Sequence, residues 1–275
     1  MRLAIIADIH GNIQALEAVY ADLKAFAPDL VIVAGDMIGG GPDSRAVLEF
    51  LSTIDHLAIK GTHEDLMFDV IAGRVEPTFL EARIAVAEAE ILGPQWIEYL
   101  ESLPDHSYLN LLRERDVCVA HGVPGNTRRT ILQNGREDDI ERFDFLRSRY
   151  LTKEEMITLF NDLSLDLFIT AHSHSQFCRP LWGTSVINPG TVRGEFCVTP
   201  DQILGEYAIV DLYRPTAGGH TWNPILRQVR WDMDAMYTDF ERKAKTHPVL
   251  IEMAQYYETR ASRLSELRIA PAAPQ

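Results

Sequence analysis

The chain has 275 residues, 46% of them hydrophobic, enough for a large core in one big domain or two small ones. Asp and Glu number 40 against 26 Lys and Arg, and the formal net charge of -14 disfavours nucleic acid and anionic membrane as partners. Cys118, Cys178 and Cys197 include no CxxC pair, which argues against a disulfide framework or a thiolate zinc site.

Residues 3–7 (Leu-Ala-Ile-Ile-Ala) and 30–34 (Leu-Val-Ile-Val-Ala) are short apolar runs that read as strands covered on both faces. The first run stops at Asp8, too soon for a signal peptide, and no apolar run approaches the roughly 20 residues of a membrane span. The expected setting is therefore the reducing cytoplasm. Between the two runs Leu16, Val19, Tyr20, Leu23 and Phe26 recur at helical spacing; Asn12 stands at the cap and Pro28 at the end. Strand, helix and strand in about 30 residues predict a parallel βαβ unit. The pattern repeats with a helix over about 44–53 and a strand over 56–60. Residues from about 64 to 103 read as helical, broken near Glu76-Pro77 and Gly93-Pro94, and form an expected helical insertion. A strand at 116–120, a polar loop at 124–135, helices at about 137–149 and 153–162, and a strand at 166–170 follow. Short strands near 177–182, 184–188, 206–212 and 222–231 predict an antiparallel half, and the tail, about 234–267, is an amphipathic helix interrupted at His247-Pro248.

Polar residues follow each apolar strand: Asp8-Ile9-His10, Gly35-Asp36, Gly61-Thr62-His63-Glu64, His121-Gly122 and Ala171-His172-Ser173-His174. The carboxyl ends of parallel strands face one crevice, so segments remote in sequence can deliver these side chains to one place. Of the 9 His in the chain, five stand at such strand ends, which scattered surface His would not favour. Residues at i and i+2 of an extended strand point the same way, so Asp8 and His10, or His172 and His174, can share an ion. Imidazole and carboxylate together suit Zn, Mn, Fe or Ni rather than Ca. Asp36, with two carboxylate oxygens, is the natural bridge between two ions. Gly11, Gly35, Gly61 and Gly122 would let backbone come close to metal or phosphate.

In order and spacing these five segments resemble the motifs of the calcineurin-like metallophosphoesterases, and residues 187–191 and 207–211 are similar to later segments of small bacterial members. The resemblance implies an α/β fold, a four-layer α/β/β/α sandwich of two mixed sheets. It implies one domain over residues 1–275, with the helical insertion at about 64–105 and a C-terminal helical extension at about 233–268. It also implies two divalent metal ions (Mn, Fe, Zn or Ni), one held by Asp8, His10 and His174, the other by His121 and His172, with Asp36 bridging. A hydroxide between the ions would attack phosphorus in line, and His63, paired with Glu64, would steady the transition state or protonate the leaving oxygen. The family usually has Asn where Thr62 stands; a hydroxyl one bond nearer the backbone puts its reach to the second ion in question. Ala171 replaces the family's usual Gly.

The function expected is hydrolysis of a small phosphorylated substrate, a diester or a monoester. The alternatives are a protein-binding scaffold with a weakened site, for which Thr62 speaks, or a nuclease, against which the acidic balance speaks. Asn12 caps the first helix or touches phosphate at a helix N-terminus. Arg128, Arg129 and Arg193 are candidate phosphate clamps as well as ordinary surface cations. Asn188 and Thr191 shape a turn behind the His pair. His56, His106, His220 and His247 read as ordinary residues. The apolar face of Met233, Met236, Tyr237 and Phe240 serves the core or a homo-oligomer contact through the C-terminal helices.

Overall fold

Successive side chains of a strand point to opposite faces, and in β1 (Arg2–Ile6) both faces are apolar and covered. Leu3 and Ile5 enter one core, Ala4 and Ile6 another. β1 is the centre of a five-stranded sheet in the computed structural model, which describes residues 1–111, 116–131, 148–163, 165–194, 203–213 and 221–255. β2 (Leu30–Val33) and β3 (His56–Ala58) continue the sheet in parallel on one side of β1. On its other side lie antiparallel strands from late in the chain, Gly205–Tyr213 and then Thr221–Val229.

The second sheet is also mixed, but its three parallel strands are central and an antiparallel strand lies at each edge. β4 (His106–Leu109) lies at one edge beside β5 (Val117–Ala120). The chain then makes a two-stranded ribbon of β6 (Arg129–Thr130) and β7 (Arg149–Tyr150) before β8 (Leu167–Ile169), parallel to β5. β9 (Phe177–Leu181) and β10 (Thr184–Asn188) complete the sheet in the order β4-β5-β8-β10-β9, with β10 parallel to β8. The strands of the first sheet's late half are β11 (Gly205–Tyr213) and β12 (Thr221–Val229).

The two sheets meet through Leu3, Ile5, Ile32, Val119, Ile169 and Ile187. Helices α1 (Ile13–Leu23) and α2 (Ser44–Leu51) cover the outer face of the first sheet with Leu16, Val19, Val47 and Leu48. α3 (Thr62–Ile71), α4 (Leu80–Leu92) and α5 (Pro94–Ser102) extend that layer, and Gly93, at φ 75°, turns the chain between the last two. α6 (Lys153–Leu163) covers the second sheet through Met156 and Phe160. The result is the expected four-layer sandwich of two mixed sheets. Each buried Leu, Ile or Phe stabilises it by roughly 1.5–3 kcal/mol.

α7 (Met233–Ala244) and a helix from residue 249 make a separate apolar cluster, in which Met236, Phe240, Leu250 and Met253 meet Ile84 of α4. The break between them falls at the expected His247-Pro248. β4 was not expected from sequence: its four residues are all half-buried, and His106, Ser107 and Tyr108 give no apolar signal. Residues 132–135 of the expected loop, most of the expected 137–149 helix, Cys197, His220 and the tail beyond 255 lie outside the described residues. Among the described residues no helix is long and apolar enough to cross a membrane.

Candidate metal centre

The ends of β1, β2, β5 and β8 point to one place. Asp8, His10 and His174 bring one ligand atom each to within 4.8 Å of one another, and Asp36, His121 and His172 do the same. We refer to these as the first and second sets. His10 Nε2 lies 3.1 Å from His174 Nε2, and His174 Nε2 lies 3.3 Å from Asp8 Oδ1. Asp36 Oδ2 is 3.2 Å from His121 Nε2 and 3.8 Å from His10 Nε2, so this carboxylate stands between the sets.

The backbone is bent to make this convergence. Among the described residues seven that are not Gly have positive φ, and five of them are Asp8 (53°), His10 (51°), Asp36 (51°), His172 (64°) and His174 (53°). Such conformations are unfavourable for L-residues and cluster at functional sites. They are held by hydrogen bonds between the loops: Asp8 N–H donates to Gly35 O at 3.1 Å and His10 N–H to Asp36 O at 2.9 Å. Behind the His pair, Thr191 Oγ1 donates to Asp8 O at 2.8 Å, and Asn188 Nδ2 donates to Ala171 O and to Ser173 Oγ, both at 3.0 Å. The turn expected of Asn188 and Thr191 is thus seen.

The donor set fits divalent cations. His10 Nδ1 faces Gly39 O at 2.9 Å and His121 Nδ1 faces Ala34 O at 2.8 Å, contacts that turn each Nε2 toward the carboxylates. Asp8 Oδ1 is buried and makes no hydrogen bond among the described residues, and the buried His121 Nε2 faces Asp36 Oδ2 at 3.2 Å and Asp8 Oδ1 at 3.9 Å. Polar atoms so placed need a partner, and an ion bound by imidazole and carboxylate would be one. Electrostatics agree. Desolvation acts to lower His121, but Asp36 and Asp8 overcome it and push the imidazole up to about 10. Desolvation acts to raise Asp36, yet His121 and His63 draw it well below the usual carboxylate range. Positive charge is wanted at this point. Burial, then the charges of Arg193 and His63, hold His10 well below the ordinary histidine value, and burial followed by His121 does the same to His172.

Thr62 is brought to the second set. Its hydroxyl donates to Thr127 O at 3.1 Å and lies 3.2 Å from His172 Nδ1. His63 stands over the first set, its ring 4.7 Å from that of His10 and nearly perpendicular to it; burial holds its imidazole below the ordinary value. Arg193 has only 9% of its surface exposed, and its guanidinium is 3.4 Å from His174 Nδ1.

One expectation needs correction, and for Asn12, Arg128 and Arg129 the structure favours one of the two readings left open. Glu64 does not pair with His63. Its carboxylate accepts the backbone N–H groups of Gly61 (2.7 Å), Met37 (2.8 Å), Asp36 (3.0 Å) and Ile38 (3.2 Å), so it clasps two site loops from beneath. Burial, with Asp36 next, pushes that carboxyl up to about 7. Asn12 is fully buried: it caps α1 by accepting from Ala15 N–H at 3.0 Å and lies under Met236, which leaves nothing for phosphate. Arg128 turns to Asp69 on α3 at 3.3 Å, about two helical turns from Thr62, and Arg129 pairs with Glu155. Sequence reading missed Ser148, whose Oγ is 2.8 Å from His172 Nε2; it follows a long polar stretch and has no motif around it.

Residues 1–176, more than half of the chain, match the calcineurin-like phosphoesterase family. The chain belongs to this family. An uncharacterised protein of Methanocaldococcus jannaschii is 22% identical over 69% of this chain and 69% of its own length. Serine/threonine-protein phosphatase 2 of Escherichia coli is 36% identical, but over only 24% of this chain and 30% of its own. Among solved structures, a metallophosphoesterase from Sphaerobacter thermophilus superposes with a TM-score of 0.63 at 21% identity, covering 92% of this chain and 99% of that one. A hypothetical protein from Pyrococcus horikoshii gives 0.67 at 15% identity, covering 92% and 97%. At these identities the structures speak for the phosphoesterase fold alone. The two sets described above, with His63 beside His10 and Asp36, are the possible metal-binding residues of this calcineurin-like member.

Proposed function

We propose that the chain is a hydrolase that cleaves phosphate esters of a small phosphorylated substrate with two divalent cations, one at each set. The observation that carries the reading is the convergence of two carboxylates and four imidazoles, with Asp8 Oδ1 buried and without a hydrogen bond among the described residues. Asp8, His10 and His174 would hold one cation, His121 and His172 the other, and Asp36 would touch both. Bound there, the cations would supply Lewis acidity, lowering the pKa of water and drawing charge from the phosphoryl oxygens. Thr62 would support the second cation through its hydroxyl oxygen; its proton goes to Thr127 O, and its nearness to His172 supports this role.

The chain's own residues account for the rest of the chemistry. The half-buried His63 would steady charge on the phosphoryl or leaving oxygen through its ring N–H, and Gly39 fixes its ring, since a β-carbon there would come within 2.9 Å of His63 Cγ. Arg193, whose guanidinium is 3.4 Å from His174 Nδ1, would face the phosphoryl group. Glu64 keeps the 36–38 and 61 segments together so that Asp36 and Thr62 hold their places.

The test is hydrolysis of a chromogenic phosphodiester and a monoester with Mn, Ni, Zn, Fe and Mg supplied in turn. We expect turnover with at least one cation, and a loss of at least about a hundredfold in Asp36→Asn. Wild-type protein that binds these cations and turns over neither ester with any of them would sink the hydrolase reading.

A further inference from the structure

Glu88 of α4 is a carboxylate with 2% of its surface exposed that forms no ion pair among the described residues. Its Oε2 makes no hydrogen bond there, and its Oε1 accepts from Ser44 Oγ at 2.7 Å. Burying a carboxyl group on so little is unfavourable, and an apolar residue would fill the space against α2 at less cost. The chain of contacts that begins at Ser44 leads to the site. Ser44 Oγ accepts the N–H of Gly39 at 3.3 Å, and the carbonyl of Gly39 receives His10 Nδ1 at 2.9 Å. Gly11, next to His10, closes on the same hydroxyl: a β-carbon there would lie 2.6 Å from Ser44 Oγ.

We propose that Glu88 and Ser44 are positioning residues for His10, forming a relay from the helical insertion to the first set. The inference rests on the metal reading above. Glu88 fixes the rotor of the Ser44 hydroxyl, so that a lone pair faces Gly39 N–H. That bond holds residue 39 in its left-handed conformation (φ 80°), and the Gly39 carbonyl then keeps the His10 ring turned with Nε2 toward Asp8 and His174. Partners of this outer kind set both the tautomer and the aim of a ligating imidazole. Neither residue touches the ligand atoms, so the effect belongs to ion affinity rather than to the chemistry itself.

Calorimetric titration of metal-free full-length protein with Mn2+, together with its unfolding midpoint, tests the relay. Wild type should take up two ions. Ser44→Ala and Glu88→Ala should weaken one of the two by roughly 10–100-fold and leave the other within about threefold, while Glu88→Gln, whose amide oxygen still accepts from Ser44, should stay near wild type. Folded alanine variants that bind both ions like wild type would overturn the relay and leave a structural carboxyl only, as would a Glu88→Gln protein as weak as Glu88→Ala. Should Glu88→Ala fail to fold, Ser44→Ala decides the matter, because it removes a single oxygen. A wild type that takes up no Mn2+ would overturn the metal reading and the relay with it.

Discussion

Asp8, His10, Asp36, His172 and His174 all hold backbone conformations that cost on the order of 1–3 kcal/mol each. Glycine would adopt them freely but would bring no carboxylate or imidazole, so the strain is borne where a side chain has to be aimed. Neighbouring glycines relieve what these residues cannot. Gly35, at φ 89°, lies so close to the second set that a methyl group on it would be 2.7 Å from His121 Nδ1 and 2.8 Å from Gly61 Cα. Gly35→Ala should therefore lower stability by about 2–4 kcal/mol, measured by chemical denaturation. It should also cut ester turnover by about a hundredfold through displacement of His121. A fully stable, fully active variant would contradict this account of the strand end. At this scale much of the site is legible in the sequence, because Asp and His directly after buried strands have few structural reasons to be there. Glu64 was not legible as a loop clasp, since its task depends on four amides from two segments that meet only in the folded chain. Ser44 and Ser148 carry no signal, because a serine is usual in any turn or helix start.

At the scale of elements, buried parallel strands announce themselves as unbroken Ile, Val and Leu runs, whereas an edge strand does not. β4 is half-buried throughout and chemically mixed, and so escapes notice. The breaks of the helical insertion are legible through Pro77 and through Gly93-Pro94, where proline takes the first position of α5. What the pattern conceals is that α4 buries two carboxyl residues, Glu81 and, more deeply, Glu88. Burial, against the opposing hydrogen bond from Ser44, pushes the Glu88 carboxyl up to about 7 from its ordinary 4.5. Between those values the folded protein keeps a proton that the unfolded chain has released, so stability falls as pH rises across the window and levels off above about 7. Glu88→Gln should flatten that part of the profile and gain as much as about 3 kcal/mol at pH 8 relative to its effect at pH 4. Urea denaturation at a series of pH values reads this directly; an unchanged slope would mean that the carboxyl is ionised throughout.

For the whole molecule, the field and the site pull in opposite directions. A formal net charge of -14 repels a phosphorylated substrate at long range, although the ions proposed for the site would attract it within a few ångströms. Salt screens the first effect over a Debye length of about 10 Å at 0.1 M and leaves the contact forces nearly intact. For a dianionic ester, kcat/KM should rise severalfold between about 0.01 and 0.15 M salt, as measured by initial rates at fixed pH. A steady fall would show that the charge near the mouth of the site, rather than the total, governs approach.

The first sheet has a further consequence. Its central strand, β1, pairs with β2 within the first 33 residues but waits for β11, at Gly205–Tyr213, on its other side. During synthesis the amides of residues 2–5 on that side stay bare while the whole second sheet is made, an open edge able to take up a strand from another nascent chain. The segment that flanks Ala7 and Asp8, residues 192 and 193, is likewise made late, so the cradle proposed for the first cation would still be half-built on the ribosome until then.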